Sequence, residues 1–457
     1  MDENSKKQSE NLLFPELFSF DPIQGKRVEV SFTAPDLSSQ GGLLLLGGLD
    51  HRIGLIDRLT GCLEDKRCPW LIDHTYDEML TQRIFQVACG YEDADDCDLL
   101  RDDSVLKMCA GKSPDSSPLS SQPTMTRLEN GRSIRELYEM GVCFVEEFIA
   151  SYDEEPECII LDCDDTSFNA YGEQQGTLFN DYYGEKCYMP LLIFEGISGK
   201  MILPMLRTGR RNKSTNIHGI PRRLIGMMRR HWKKTRFIVR GDAHFCSKEF
   251  MDWVVGKEHV KFVFGLTGNQ VLNKRVKPWL DKALKAYSEN GEEVRLFRQF
   301  TYRAGSWEHA KRVIVKIEVN HRGPNVRFIV TNLEHPNSRF IYESPYCGRG
   351  TMELYIKEMK VYLSADRCSC NSFSANQFRL FVHAAAYVLL HTLKETVLKG
   401  TCLYNASILT LQQKILSGAV HVRTLKTKIR IEFSDKHPYR NELSLAFQRF
   451  SLWSGAA

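Results

Sequence analysis

Three carboxylates far apart in the chain stand where a sheet enzyme would gather metal ligands. Asp164 closes the apolar run Cys158-Ile-Ile-Leu-Asp-Cys-Asp164, Asp242 closes Arg236-Phe-Ile-Val-Arg-Gly-Asp242, and Glu353 lies in a helical pattern. Short apolar runs that end in acids read as buried central strands. Three such acids, brought together at strand ends and on a facing helix, can hold two divalent cations roughly 3.5 to 4 Å apart. One cation activates an attacking water or 3′-hydroxyl, and the other stabilises the leaving oxygen of a displacement at phosphorus. Oxygen donors suit hard Mg²⁺, with Mn²⁺ as a substitute, and the acids would repel one another without cations. The metal-free site is therefore expected to be strained or mobile. A lone acid at a strand end is a weak sign, because turns are rich in Asp. Asp162 and Asp165 also compete for the role of Asp164: strand alternation puts Asp162 on the same face, whereas Asp165 would support the turn.

The elements that must position these acids follow in a simple order. After the run ending at Asp164, strands are predicted over residues 188–197 and 201–207 around the hairpin signal Ser198-Gly199-Lys200, then a basic helix over 221–234. The run ending at Asp242 comes next, followed by a helix over 245–255 and a strand over 260–266. This order, βββ-α-β-α-β, is that of an RNase H-like sheet with acids at the ends of its first and fourth strands. From residue 272 to 345 the pattern turns mainly β, with alternating runs at 294–302, 312–319 and 326–331, and reads as an insertion. Helical periodicity returns over 349–362 and 375–398, and residues 420–433 read as one or two terminal strands. Ahead of the sheet, residues 41–152 read as helical, broken by an exposed Ser/Pro-rich loop at 113–123.

Order and spacing then become specific. Leu161-Asp-Cys-Asp164-Asp-Thr166, Phe237-Ile-Val-Arg-Gly-Asp242-Ala-His-Phe245, and Tyr346-x2-Arg349-x3-Glu353-x6-Lys360 resemble the three blocks of the DDE transposases of bacterial insertion sequences, the last matching their Tyr-Arg-Glu-Lys signature. The branch known as DDE group 1 is resembled further in Gly41-Gly42-Leu43, Gly90-Tyr91-Glu92-Asp93, Gln122-Pro123-Thr124 with Arg127-Leu128-Glu129, the stretch 174–190, Ser306-Trp307 and the stretch 368–379. The resemblance implies an enzyme that binds the terminal inverted repeats of its element, cleaves there, and joins the freed 3′-hydroxyls to target DNA. It implies Asp164 bridging two metal ions, Asp242 holding one and Glu353 the other. Tyr346, Arg349 and Lys360 would then contact DNA, the last two as a phosphate clamp, since they lie eleven residues apart, close to three helical turns. Trp307 has two readings, a platform for a flipped base or core packing. Arg127 would belong to an end-recognition helix, although Ser and Thr at such positions also serve as caps. His244 would contact phosphate or transfer a proton, or be structural.

The rest of the composition fits that frame. A chain of 457 residues, 42% hydrophobic and 26% charged, can bury a sizeable core. Its net charge of +4 is small, yet no acid occurs between Glu195 and Asp242, where Arg210, Arg211 and eleven further Arg and Lys offer charge to phosphates. The start carries no secretory signal and the apolar stretch around 380–390 is interrupted by His383, so neither export nor a membrane span is expected. Fourteen cysteines without a Cys-x-x-Cys pair argue for free thiols in a reducing cytoplasm, at the bacterial nucleoid. The organisation expected is a helical end-binding domain over 1–152, an RNase H-like core over 153–271 and 346–400, a β-rich insertion over 272–345, and a C-terminal segment over 401–457. The partners expected are double-stranded DNA and, in the synaptic complex, a second copy of the chain. A stand-alone RNase H-like nuclease is disfavoured by the long N-terminal part, and a decayed DNA-binding relic by the intact acids.

Overall fold

A computed structural model describes residues 17–209 and 219–452. Its centre is an eight-stranded sheet. In chain order the strands are β1 (Cys158–Asp165), β2 (Leu191–Glu195), β3 (Met201–Met205), β4 (Arg236–Gly241), β5 (Val260–Leu266), β6 (Val294–Tyr302), β7 (Lys311–Asn320) and β8 (Gly323–Thr331). In space they run β6-β7-β8-β5-β4-β1-β2-β3. β4 is parallel to both β1 and β5, and the remaining neighbours are antiparallel. Between β1 and β2 the chain makes a small three-stranded sheet from Phe168–Asn169, Leu178–Asn180 and Glu185–Tyr188.

The nine helices used below are α1 (Leu43–Ile53), α2 (Tyr76–Ala88), α3 (Gln122–Asn130), α4 (Ile134–Ala150), α5 (Gly219–His231), α6 (Lys248–Trp253), α7 (Gln270–Asn290), α8 (Gly350–Lys357) and α9 (Phe373–Thr396). The predicted order βββ-α-β-α-β is present as β1-β2-β3-α5-β4-α6-β5. Parallel strands need crossover helices, and these cover the sheet. Ile159, Leu161, Cys163, Phe237, Val239, Phe262 and Phe264 form one core with apolar residues of α4, α5, α6 and α7. The opposite sheet face, through Leu192 and Phe194, joins a second core built around α9.

α9 is buried around nearly its whole circumference, which makes it a central helix. Several of its polar side chains bond inside: Gln377 accepts a hydrogen bond from Leu206 N at 2.6 Å, Asn376 donates to Cys370 O at 2.7 Å, and His383 Nδ1 lies 2.6 Å from Leu363 O, while His383 Nε2 and Arg379 Nε are buried without a partner among the described residues. No helix among the described residues is long and apolar enough to cross a membrane. All fourteen cysteines are free.

Three expectations change here. First, residues 272–345 do not stand off as an insertion, because β8 pairs with β5 from Val263↔Thr331 to Leu266↔Phe328 and β6 to β8 extend the central sheet. Without them the edge of β5 would expose a row of unpaired backbone groups. Second, that region opens with the 21-residue helix α7 rather than with strands. Asn269 caps it through Leu272 N and Gly291 closes it at φ 69°, while the internal Pro278 and sparse apolar positions hide its period. Third, the N-terminal stretch is not wholly helical. Leu17–Ile23 and Lys26–Ser31 form a hairpin, and Leu37–Ser38 pairs with the strand Val420–Leu425, itself paired to Lys428–Phe433. The N-terminal helices share one continuous core with α9 and with the chain beyond it, reaching to Ala446.

Asp50, near the end of α1, is buried and accepts a hydrogen bond from Ile56 N at 3.1 Å. Burial pushes its carboxyl up to about 7, opposed by that hydrogen bond. A carboxyl raised in the folded state contributes stability that is whole below its unfolded value, near pH 4, and is lost as pH rises through the folded value near 7. Asp50→Asn keeps an acceptor without the charge. Its unfolding free energy in urea should match the wild type at pH 4 and exceed it increasingly toward pH 7, by roughly 1.4 kcal/mol per unit. Parallel pH profiles for the two proteins would refute this.

Candidate active site

The register of two parallel strands brings the acids together. β4 pairs with β1 so that Arg240 stands beside Asp162 and Gly241 beside Cys163. One step further along the same register Asp242 falls beside Asp164. Neighbouring strands lie about 4.8 Å apart, and alternation puts Asp162, Asp164, Arg240 and Asp242 on one face of the sheet.

Asp162 and Arg240 form a buried ion pair: Nη2 lies 2.6 Å from Oδ2, and Nε donates to Oδ1. The same guanidinium donates to Gly196 O at 3.1 Å, Pro345 O at 3.0 Å and Gly348 O at 3.1 Å. Two of these partners are glycines for a steric reason, since a Cβ on Gly196 would come within 2.7 Å of Nη2 and one on Gly348 within 2.8 Å of Nη1. Arg240 therefore ties β1 to the segment leading into α8.

Asp164 is 18% exposed, with Asp165 N donating to its Oδ1 at 3.0 Å and Arg349 Nη1 at 3.8 Å from that oxygen. Burial pushes its carboxyl up to about 7, Arg349 pulls it down, and Asp242 and Asp165 push it up again. Asp242 caps the short turn Ala243–Phe245, accepting from His244 N at 2.8 Å. Burial also raises the Tyr346 phenol, Arg349 lowering it and Asp242 raising it further, and its hydroxyl lies against Gly265 of β5. Lys360 Nζ donates to Ser167 O at 2.7 Å and reaches Thr166 Oγ1 at 3.4 Å.

Arg349 and Lys360 thus grip the chain leaving β1 from both ends of one helical segment. That segment changes winding: wide π turns at Tyr342–Tyr346 and Glu358–Tyr362 bracket α8, after a tight turn at Cys347–Arg349. Such π turns are uncommon and recur at functional sites. Glu353 lies one turn after Arg349, hence on the same side, and is exposed. Among the described residues no three His, Cys, Asp or Glu side chains stand close enough to hold a metal ion, so Asp164, Asp242 and Glu353 do not form one group.

The neighbours of Asp164 are engaged elsewhere. Asp162, its rival, is held by Arg240, and Asp165, expected to support the turn, is fully buried with Arg207 Nη2 at 2.9 Å and His244 Nε2 at 3.5 Å. His244 is thereby tied on both sides, to Asp165 through its ring and to Asp242 through its backbone. The basic stretch between Glu195 and Asp242 divides: Arg207 and Arg240 turn inward, while Arg222, Arg223, Arg230, Lys233 and Lys234 remain exposed. Arg210 and Arg211 lie outside the described residues. Arg127 is exposed on α3, donating to Thr124 Oγ1 at 3.0 Å. Trp307 is buried, with its ring edge-on to Tyr302 at 5.5 Å, which is the packing reading. The inward arginines were missed as partners; an acid and a base at matching places in successive apolar runs was the available signal.

The family described as transposase DDE domain group 1 matches residues 20–454, and the chain belongs to that family. No curated protein matches it. Among solved structures, a piggyBac transposase synaptic complex with hairpin DNA aligns at 10% identity over 84% of this chain and 81% of that chain, with a TM-score of 0.44.

The pair Asp164 and Asp242 offers hard oxygen donors, and Asp164 is raised first by burial and then by the like charges of Asp242 and Asp165. These donors fit a divalent cation such as Mg²⁺ or Mn²⁺. In a thermal-shift titration near pH 7.5, Mg²⁺ or Mn²⁺ should raise the melting temperature of the wild type and leave Asp164→Asn and Asp242→Asn unmoved. Equal shifts in all three would place the ion elsewhere.

Removing Arg240 alone strands a buried carboxylate. Arg240→Met is expected to cost about 3–5 kcal/mol in urea unfolding, and the double change Asp162→Leu with Arg240→Met to recover much of it. A double variant as unstable as the single would show that the carbonyl contacts of Arg240, rather than its ion pair, hold the fold.

Proposed function

We propose that this chain is an active transposase, which binds the terminal inverted repeats of its element and carries out metal-dependent strand cleavage and strand transfer on an RNase H-like core. The observation that carries this reading is the parallel register that ends with Gly241 beside Cys163, one residue before Asp242 and Asp164, with the charges of Asp242 and of Arg349 from the facing helical segment acting on Asp164. The sheet order β3-β2-β1-β4-β5, with β2 antiparallel to its neighbours, supports the RNase H-like assignment.

Asp164 and Asp242 would hold divalent ions, with Glu353 as the third ligand. When bound, two such ions, Mg²⁺ with Mn²⁺ as substitute, supply the charge that activates the attacking oxygen and stabilises the leaving one. Arg349 meets the phosphodiester beside Asp164, and Tyr346, which feels the charges of Arg349 and Asp242, contacts the DNA with it. Lys360 braces Thr166 and Ser167 and offers a further donor to a phosphate oxygen. The exposed bases of α5 and the residues after it, from Arg222 to Lys234, track the DNA backbone.

Residues 1–152 serve as the end-binding part, with Arg127 on α3. Residues 153–271 and 346–400 form the catalytic core, residues 272–345 complete its sheet, and residues 401–457 close the chain. Two ends must be synapsed, so the DNA-bound form is a homodimer, acting on chromosomal DNA in a bacterial cytoplasm.

Cleavage of a labelled duplex carrying the element's end tests the reading. At equal DNA binding and with Mg²⁺, Asp164→Asn, Asp242→Asn and Glu353→Gln should each lose cutting by more than the roughly 10–100-fold expected for a supporting residue. Wild-type chain that binds the end and cuts under no divalent metal would make it a DNA-binding relic.

A further inference from the structure

The N-terminal helices carry a pair of thiols that the proposed reaction does not use. Cys62 follows the helix Leu55–Gly61, Cys143 lies in the middle of α4, and the two are 81 residues apart in the chain. Their helices meet in two rungs. In one, Arg58 forms an ion pair with Glu147. In the other, four residues from each of those partners, the Cys143 thiol hydrogen-bonds to the Cys62 sulfur. Arg58 against Glu147 and Cys62 against Cys143 make the two helices antiparallel, and steps of four residues put both rungs on one seam. Cys62 Sγ also donates to Arg58 O at 3.3 Å, which ties it back to the first rung.

The two thiols are unlike. Cys62 is partly exposed, whereas Cys143 is 4% exposed inside the core around α9. The hydrogen bond from Cys143 lowers the Cys62 thiol below its ordinary value, against burial and the charges of Glu139 and Glu146. The end of a helix also disfavours an anion, so the proton held by Cys143 is what makes Cys62 acidic. The same contact, together with burial, pushes Cys143 far up. An accessible thiol that ionises readily thus faces a buried one that keeps its proton, as a reacting cysteine faces a resolving one. Cys89 and Cys109 also lie near each other, but burial raises both and neither offers a thiolate.

We propose that Cys62 and Cys143 are a peroxide-reactive modification site that closes to a reversible disulfide. The Cys62 thiolate attacks one peroxide oxygen and breaks the O–O bond, giving a sulfenic acid and a hydroxide that takes up a proton as water. The Cys143 sulfur then attacks the sulfenic sulfur, and its proton leaves with the hydroxyl group as a second water. Two thiols are oxidised, one peroxide is reduced, and a dithiol reverses the link by exchange. The seam suits the bond, because a disulfide needs side chains that point at each other. In a reducing compartment such a link is transient and reports oxidant. It fastens the helix Leu55–Gly61 to α4, which places Phe144 in the core around α9 and Phe148 in the core against the sheet. The loop it closes holds α2 and α3, and its effect on stability comes chiefly from restricting the unfolded chain.

The test treats the full chain with an equivalent of hydrogen peroxide, blocks the remaining thiols with iodoacetamide and digests without reductant. A joined pair of peptides carrying Cys62 and Cys143 should appear, lighter by two hydrogens than the separate thiol peptides. The melting temperature of the treated chain should rise by several degrees and fall back with dithiothreitol. In Cys143→Ala, dimedone should trap Cys62 as a sulfenic acid, and alkylation of Cys62 should need a higher pH than in the wild type. In Cys62→Ser, Cys143 should remain a thiol. At neutral pH wild-type Cys62 should be alkylated several-fold faster than the exposed Cys68 and Cys402. Cys62 linked to a different cysteine, Cys62 left reduced while Cys68 or Cys402 oxidises, or an alkylation profile unmoved in Cys143→Ala overturns the assignment. None of these readouts involves DNA, so the transposase reading stands or falls separately.

Discussion

One buried ion pair, Asp162 with Arg240, holds the register on which everything else in the site depends. Taking two charges out of water is costly, and attraction offsets that cost only with good geometry and full satisfaction of the remaining donors. Here the guanidinium has both carboxylate oxygens and three carbonyls. Slipping β4 by one residue against β1 would strand both charges and turn every side chain of one strand to the other face. The alignment that satisfies the pair also sets Asp164 beside Asp242 two residues on. Because Pro345 and Gly348 share the same guanidinium, the segment carrying Arg349 and Glu353 is hung from that point too.

Around this tie the charges are unevenly compensated. Asp162 and Asp165 are each matched by a buried arginine at short distance. Among the described residues Asp164 pairs only with Arg349, at 3.8 Å, and feels the charge of Asp242. The fold thus neutralises the acids that flank the centre and leaves the central one hungry for cations. The exposed Glu353 and the wide π turns on both sides of its helix belong to the same picture: the part facing the carboxylates is the least regularly wound stretch of the core.

Much of this was legible in the chain itself. Apolar runs ending in Asp164 and Asp242 announce buried strands, because burial on both faces leaves few other compositions possible. The distribution of basic residues was legible only as a total, since counting along a chain cannot tell which arginine turns inward; Arg207 and Arg240 became counterions, while their neighbours stayed in water. The helix α7 was hidden by Pro278 and by a solvent face so broad that few apolar positions mark its period. That β6 to β8 would join the central sheet depends on a pairing with β5 across some sixty residues, which no local pattern records. Trp307 shows the same limit: its neighbour Tyr302 decides its role, and tertiary contacts alone reveal that.

The shared core around α9 has a consequence for how the protein is made. Helices α1 to α4 leave the ribosome long before Phe373–Thr396, the element against which they bury their apolar faces. At roughly 5–20 residues per second, the nascent N-terminal part waits on the order of tens of seconds with that surface uncovered. A later closure, the strand Leu37–Ser38 against Val420–Leu425, spans more than 380 residues and waits longer still. A chain that stops before α9 therefore leaves a sticky fragment destined for proteolysis, and the shared core is complete only once the strand Val420–Leu425 has been made.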